Sequence, residues 1–178
     1  MASLSMVPFR RNTHEPFRRP GVRLQRGGHC RAHPQRRRDG PERARIGALW
    51  DQFFSESWAR RLPGPGADGR LYGVYSAYES DQHGAFDVTA GVSAAVQAEP
   101  PVGTARVEVE PGDYLVFPGE GPMPQMVIDA WGDVWRYFEA NPGVRRRFGT
   151  DFELYEGRRA WPSTSAFCPS MDALHPSC

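Results

Sequence analysis

Two amphipathic stripes separated by strand-like chain constrain this sequence more than any other feature. Ile46, Leu49, Trp50, Phe53, Phe54 and Trp58 recur at helical spacing and give one apolar face to a helix running to about Arg61. Leu62-Pro63-Gly64-Pro65-Gly66 stops it. Val127, Ala130, Trp131, Val134, Trp135 and Phe138 repeat the pattern, and Asn141-Pro142-Gly143 ends the second helix. Each stripe has to be buried, and the chain around and between the helices supplies a sheet to bury it on.

Residues 71–78 are rich in aromatic and β-forming side chains, and Phe86 to Ser93 alternates regularly. Asp81-Gln82-His83-Gly84 between them is turn chemistry, so the two read as a hairpin with His83 in its turn. Residues 105–110 form a strand with valine on one face and charge on the other. Pro111-Gly112-Asp113 links it tightly to a strand at 114–117, and residues 151–155 alternate as a last strand. The order is helix, four strands, helix, strand. It predicts an α+β fold: duplicated β-α-β-β modules forming an antiparallel sheet, with the helices on one face. Nothing strand-like precedes Ile46 or follows Tyr155, so the two outer strands are expected to be missing.

Charge divides the chain in the same places. Residues 1–45 hold 12 arginines against Glu15, Asp39 and Glu42, whereas residues 46–178 hold 10 arginines against 18 acids, and lysine is absent. The expected organisation is an Arg/Pro-rich disordered segment at 1–43, a domain at 44–156 and an irregular tail at 157–178. The basic segment is of a kind that contacts nucleic acid weakly through charge alone. His29, Cys30 and His33 fall short of a closed metal site, since only His14 lies near as a fourth ligand. The three cysteines, Cys30, Cys168 and Cys178, do not suggest a disulfide framework. No apolar run of membrane-spanning length and no secretory signal is legible, so a cytoplasmic protein without membrane contact is expected. Ser-His-Asp, Cys-His and Gly-rich phosphate signatures are also absent, and neither cofactor nor metal is expected.

In the strand at 151–155, period two puts Glu153 and Tyr155 on one face and Phe152 and Leu154 on the other. Phe152 and Leu154 are expected to meet the helices, turning Glu153 to the opposite face. A carboxylate ringed by Tyr75, Tyr78, Phe117 and Tyr155 holds an organic cation by charge and cation–π attraction; the alternative is a solvated strand carboxylate. Glu79, at a strand end, suits a turn as well as a ligand contact. Trp50, Trp131 and Trp135 lie on apolar helix faces and read as core, with Trp131 also a candidate for a cleft rim. Glu120 and Gln125 flank a Gly/Pro loop as loop residues or as part of a lid.

The pieces ARIGALWDQFF (44–54), LYGVYSAYESD (71–81), VEPGDYLVFPGEGPMPQ (109–125), AWGDVW (130–135) and DFELYE (151–156) together resemble the GyrI-like small-molecule-binding domain. This is the effector-binding domain of AraC-type and related bacterial regulators, which also occurs alone. The resemblance spans about residues 44–156. It implies two β-α-β-β modules around a cleft for hydrophobic, aromatic or cationic compounds, with a glutamate at the position of Glu153. The ligand-binding set it suggests is Glu153, Tyr155, Tyr75, Tyr78, Glu79, Phe117 and Trp131. The function implied is a stand-alone, multidrug-binding sensor or sequestering module. No helix-turn-helix is legible, so control of transcription would need a partner regulator. Two alternatives come with the same resemblance. One is a hydrolase of reactive cyclopropane-type toxins, with Glu153 and either Glu79 or Tyr78 as its acid–base pair; the other is an interaction module like the gyrase inhibitors, with gyrase as partner. Both ends depart from the family pattern and have the composition of a GC-rich reading frame translated out of register, and so read as frameshifted.

Overall fold

The computed structural model describes residues 16–19, 23–32, 41–62, 70–93, 101–110, 112–156 and 164–171. The rest of the arginine-rich segment, including His14 and His33, lies outside the described residues, as does Cys178. The main sheet has seven strands. Its first half contains β2 (Arg23–Ala32), β3 (Leu71–Ser76) and β4 (Phe86–Ser93), with α1 (Pro41–Ser55) and the short α2 (Trp58–Arg61) between β2 and β3. The short strand β5 (Arg106–Glu108) extends the sheet beyond β2. Its second half contains β7 (Phe117–Glu120), β8 (Asp151–Tyr155) and β9 (Thr164–Cys168), with α3 (Gln125–Ala140) between β7 and β8. All neighbouring strands pair antiparallel, in the order β5-β2-β4-β3-β8-β9-β7. Each half is thus a β-α-β-β module, and the modules meet where β3 pairs with β8.

The outer strands expected to be missing are present. β2 precedes the first helix and pairs with β4 over almost its whole length, with one irregularity between Arg26 and His29. β9 follows the last legible strand and joins β8 to β7. A ladder is built from main-chain donors and acceptors, so RLQRGGHCRA can complete a sheet without the apolar alternation that would announce it. The sheet consequently draws on chain outside 44–156 at both ends.

Two other expectations change in detail. The first helix is interrupted at Ser57, whose left-handed φ of 55° separates Trp58 from the turns before it. The strand expected at 114–117 is two strands in two sheets: β6 (Gly112–Leu115) pairs with β1 (Pro16–Arg19) and β10 (Ser170–Met171), whereas β7 joins the main sheet.

Leu49, Trp50 and Phe53 of α1 pack with Tyr75, Val88, Ala90, Val92 and Tyr155 on one face of the main sheet. Ala130 and Val134 of α3 pack with Phe117 and Phe167. Paired residues extend this face across the strands as a row, Ala90, Gly73, Glu153, Phe167 and Phe117. On the far face Tyr72, Val74, Phe152, Leu154 and Cys168 meet Tyr114 of the small sheet. The expected assignment of faces is therefore reversed: Phe152 and Leu154 back onto the small sheet, and Glu153 faces the helices. A second apolar layer behind the strand gives Phe152 and Leu154 a home away from the helices.

Phe167 is fully buried between Trp131 and the α3 cluster, with its ring 6.1 Å from that of Trp131. Phe167→Ala is expected to cost about 3–5 kcal/mol in urea unfolding. A loss under about 1 kcal/mol would show that β9 does not belong to the sheet.

Candidate functional site

At the seam between the modules, the two helices leave a cavity of about 280 Å³ over the sheet. Ile46, Gly47 and Trp50 of α1 form one wall, and Val127, Ile128, Trp131 and Trp135 of α3 the other, with Met123 and Pro124 just before α3. Tyr75, Glu153 and Tyr155 form the floor, and Tyr78, Gln82, Phe86 and Arg146 close one end. Tyr78 is three residues beyond Tyr75, a spacing that in a continuous strand would point it to the opposite face. The strand ends at Ser76, and Ala77 turns the chain with a left-handed φ of 52°, which lets both tyrosines line the cavity.

Glu153 is 1% exposed, and three donors reach its carboxylate. Tyr75 donates its hydroxyl to Oε1 at 2.6 Å, Trp131 donates its indole N–H to Oε1 at 2.7 Å, and Tyr155 donates its hydroxyl to Oε2 at 2.5 Å. Burial raises the Glu153 pKa above the ordinary 4.5, while the hydrogen bonds from Tyr155, Tyr75 and Trp131 pull the other way. Burial, and then the charge of Glu153, push Tyr75 and Tyr155 well above the ordinary tyrosine value, so both phenols remain neutral donors. Among the described residues, Glu153 has no ion-pair partner.

Gly73 makes this arrangement possible. It pairs with Glu153 across the module seam, and a Cβ there would lie 2.9 Å from Oε2 and 3.2 Å from the Trp50 ring. Around the carboxylate the rings lock edge to face, Trp131 against Tyr75 at 5.1 Å and Trp50 against Tyr155 at 5.2 Å.

Of the residues singled out from the sequence, the structure brings together Glu153, Tyr155, Tyr75, Tyr78 and Trp131, with Trp50 and Trp135 beside them. Phe117 is not at the cavity; it lies under α3 against Tyr137. Glu79 closes the hairpin, accepting from the Ala85 amide at 3.2 Å. Tyr78 gives its hydroxyl to Asp151 at 2.7 Å. Glu79 therefore lies away from Glu153, whereas Tyr78 lines the same cavity with its hydroxyl held by Asp151. Gln125 bonds to Asp129 on the exposed side of α3, Glu120 is exposed, and the His83 amide bonds to Asp81 within the turn. Arg146 at the cavity's end and Asp151 buried behind it were not legible as site residues, because an Arg triplet and the first residue of a strand both read as surface.

Two β-α-β-β modules that close their helices over a carboxylate-floored aromatic cavity make this an effector-binding domain of the GyrI-like class. More narrowly, residues 31–167 match the family model of Cass2, described as integron-associated effector binding protein, and the chain belongs to that family. An integron cassette protein from the mobile metagenome of Vibrio cholerae is 28% identical with a TM-score of 0.67, covering 89% of this chain and 95% of that one. SAV2435, solved bound to tetraphenylphosphonium, has a TM-score of 0.70 over 92% of this chain and 96% of its own; at 14% identity the likeness is one of fold. A putative transcriptional regulator of Bacillus subtilis, YobU, is 27% identical over 68% of this chain and 74% of its own length. The transcriptional regulator BrlR of Pseudomonas aeruginosa is 26% identical over 66% of this chain, which spans only 41% of that protein. No helix among the described residues is long and apolar enough to cross a membrane.

Because a Cβ at position 73 meets the carboxylate, Gly73→Ala is expected to lower stability by about 1–3 kcal/mol in urea unfolding. Glu153 itself sets a pH dependence. The folded protein keeps the Glu153 proton to higher pH than the unfolded chain does, so it binds more protons between the two pKa values. The resulting stability is fully present below the ordinary value and is lost as pH rises through the raised one. Urea midpoints from about pH 4 to 8 should decline less in Glu153→Gln than in the wild type. Equal slopes would rule out the raised pKa.

Proposed function

We propose that the cavity binds amphipathic organic cations with aromatic or apolar bodies, with Glu153 as counter-charge, and that the protein acts as a cytoplasmic sensor or sequestering module for such compounds. The observation that carries this reading is a buried carboxylate that is fully oriented by Tyr75, Tyr155 and Trp131 yet has no ion-pair partner among the described residues. Phenol and indole donors fix the carboxylate's position without neutralising its charge. A cation entering the cavity supplies the missing charge, and the rings of Trp131, Tyr75 and Trp50 supply dispersion and cation–π attraction. The breadth of ligands such a site accepts follows from the walls: Met123, Val127, Ile128 and Ile46 exclude water without imposing directional bonds. Regulator names among the relatives support a role in transcriptional response, and the tetraphenylphosphonium complex of a protein of the same fold supports the ligand class.

Three tryptophans line the cavity, so tetraphenylphosphonium should quench intrinsic fluorescence with a saturable curve. Glu153→Gln should weaken binding by about tenfold or more, the effect of losing at least ~1.4 kcal/mol of charge attraction. Wild-type affinity should rise with pH as Glu153 ionises, while the Gln variant stays flat. An unchanged affinity in Glu153→Gln would refute the role given to the carboxylate.

A further inference from the structure

Two residues before Glu153 on β8, Asp151 repeats its arrangement with one difference. Asp151 is fully buried, and its Oδ2 accepts the Tyr78 hydroxyl at 2.7 Å, as Glu153 accepts that of Tyr75. Its Oδ1 accepts the Ser170 amide at 2.6 Å and the Ser170 hydroxyl at 2.8 Å. The difference is that Asp151 has a cation. Arg146 donates to Oδ2 from Nε at 3.1 Å and from Nη2 at 2.5 Å, and its side chain is 9% exposed. Its guanidinium carbon lies 4.6 Å from the Phe148 ring centre, 5.3 Å from that of Trp131 and 5.7 Å from that of Tyr78. Buried carboxylate, phenol donor and aromatic walls are the parts of the Glu153 site, here with the charge already supplied by the chain.

The two arrangements share Trp131, which donates to Glu153 and lies at cation–π distance from Arg146, and both Arg146 and Glu153 line the cavity. Period two places the carboxylates on one face with Cα atoms about 7 Å apart. We propose that Arg146 is a built-in cation occupying a second cation subsite at Asp151, and that it thereby restricts ligands to a single positive charge, held at Glu153. The inference rests on the cation reading of Glu153 given above. A ligand with a second positive group at this spacing meets the guanidinium in place of a free carboxylate. Removing the guanidinium leaves a carboxylate, a phenol donor and three rings shaped around a planar cation. An amidinium, planar and able to donate two parallel hydrogen bonds, is the chemistry that fits there.

The test compares benzyltrimethylammonium with its para-amidino derivative by calorimetry. Wild-type protein should bind the monocation about tenfold more tightly than the dication. Arg146→Ala should reverse that preference by about tenfold or more, and Arg146→Ala with Asp151→Asn should lose the gain. Equal binding of the two ligands by the wild type, or a wild-type ratio retained in Arg146→Ala, overturns the proposal. Benzamidine separates it from the reading on which it rests. In Arg146→Ala with Glu153→Gln, benzamidine should bind only while Asp151 is intact; no binding there overturns the subsite, whereas failure of the wild type to bind benzyltrimethylammonium overturns the role of Glu153 alone. If Arg146→Ala unfolds, methylguanidinium should restore its circular dichroism and melting transition by filling the vacated place, and failure to do so counts against the subsite.

Discussion

A single buried carboxylate governs the architecture around it. Taking Glu153 out of water inside a seven-stranded sheet is costly unless its oxygens are satisfied, and the satisfying groups come from both modules. Tyr75 comes from the first module, Tyr155 and Trp131 from the second. The indole N–H therefore fixes the position of α3 over the sheet as well as bonding the carboxylate. Gly73 has to be bare, Trp50 has to stand beside it, and the helices have to part above the seam. The cavity results from accommodating one charged group where two modules meet.

The cavity is electrostatically asymmetric. At one end a carboxylate and an arginine neutralise each other against aromatic rings; on the floor a carboxylate of the same strand has only neutral donors. Neutral donors orient the Glu153 carboxylate without cancelling its charge, because Tyr75 and Tyr155 keep their protons well beyond the ordinary range. A lysine or arginine in their place would satisfy the oxygens equally well and leave no charge for a ligand to answer.

Much of this was legible in the residues. The stripes from Ile46 and Val127 marked both helices, and the hairpin of Tyr72 and Val92 was plain from alternation and a polar turn. Glu153 stood out because period two sets it on one face with Tyr155 and because the family resemblance places a glutamate there. What escaped had physical reasons. β2 pairs through its main chain, and its sequence carries no period. Residues 114–117 read as one strand because alternation cannot show that the chain changes sheets at Val116. The facing of Glu153 was reversed because apolar residues were assigned to the helix side, whereas a second apolar layer behind the sheet takes Phe152 and Leu154. Arg146 and Asp151 become a pair only when the chain before β8 folds back beneath Tyr78.

That change of sheet at Val116 also has a mechanical side. β6 and β7 are consecutive stretches of one chain, each hydrogen-bonded into a different sheet, so the segment acts as a stitch through two layers of fabric. Sliding one layer over the other would tear a ladder on one side of the stitch. The floor carrying Glu153 is accordingly the stiff part of the molecule. Of the helical walls, α1 is attached by side-chain packing, whereas α3 is also tied to the floor by the Trp131–Glu153 hydrogen bond. A cation of the kind proposed would then meet its counter-charge at a depth set by the stitched layers.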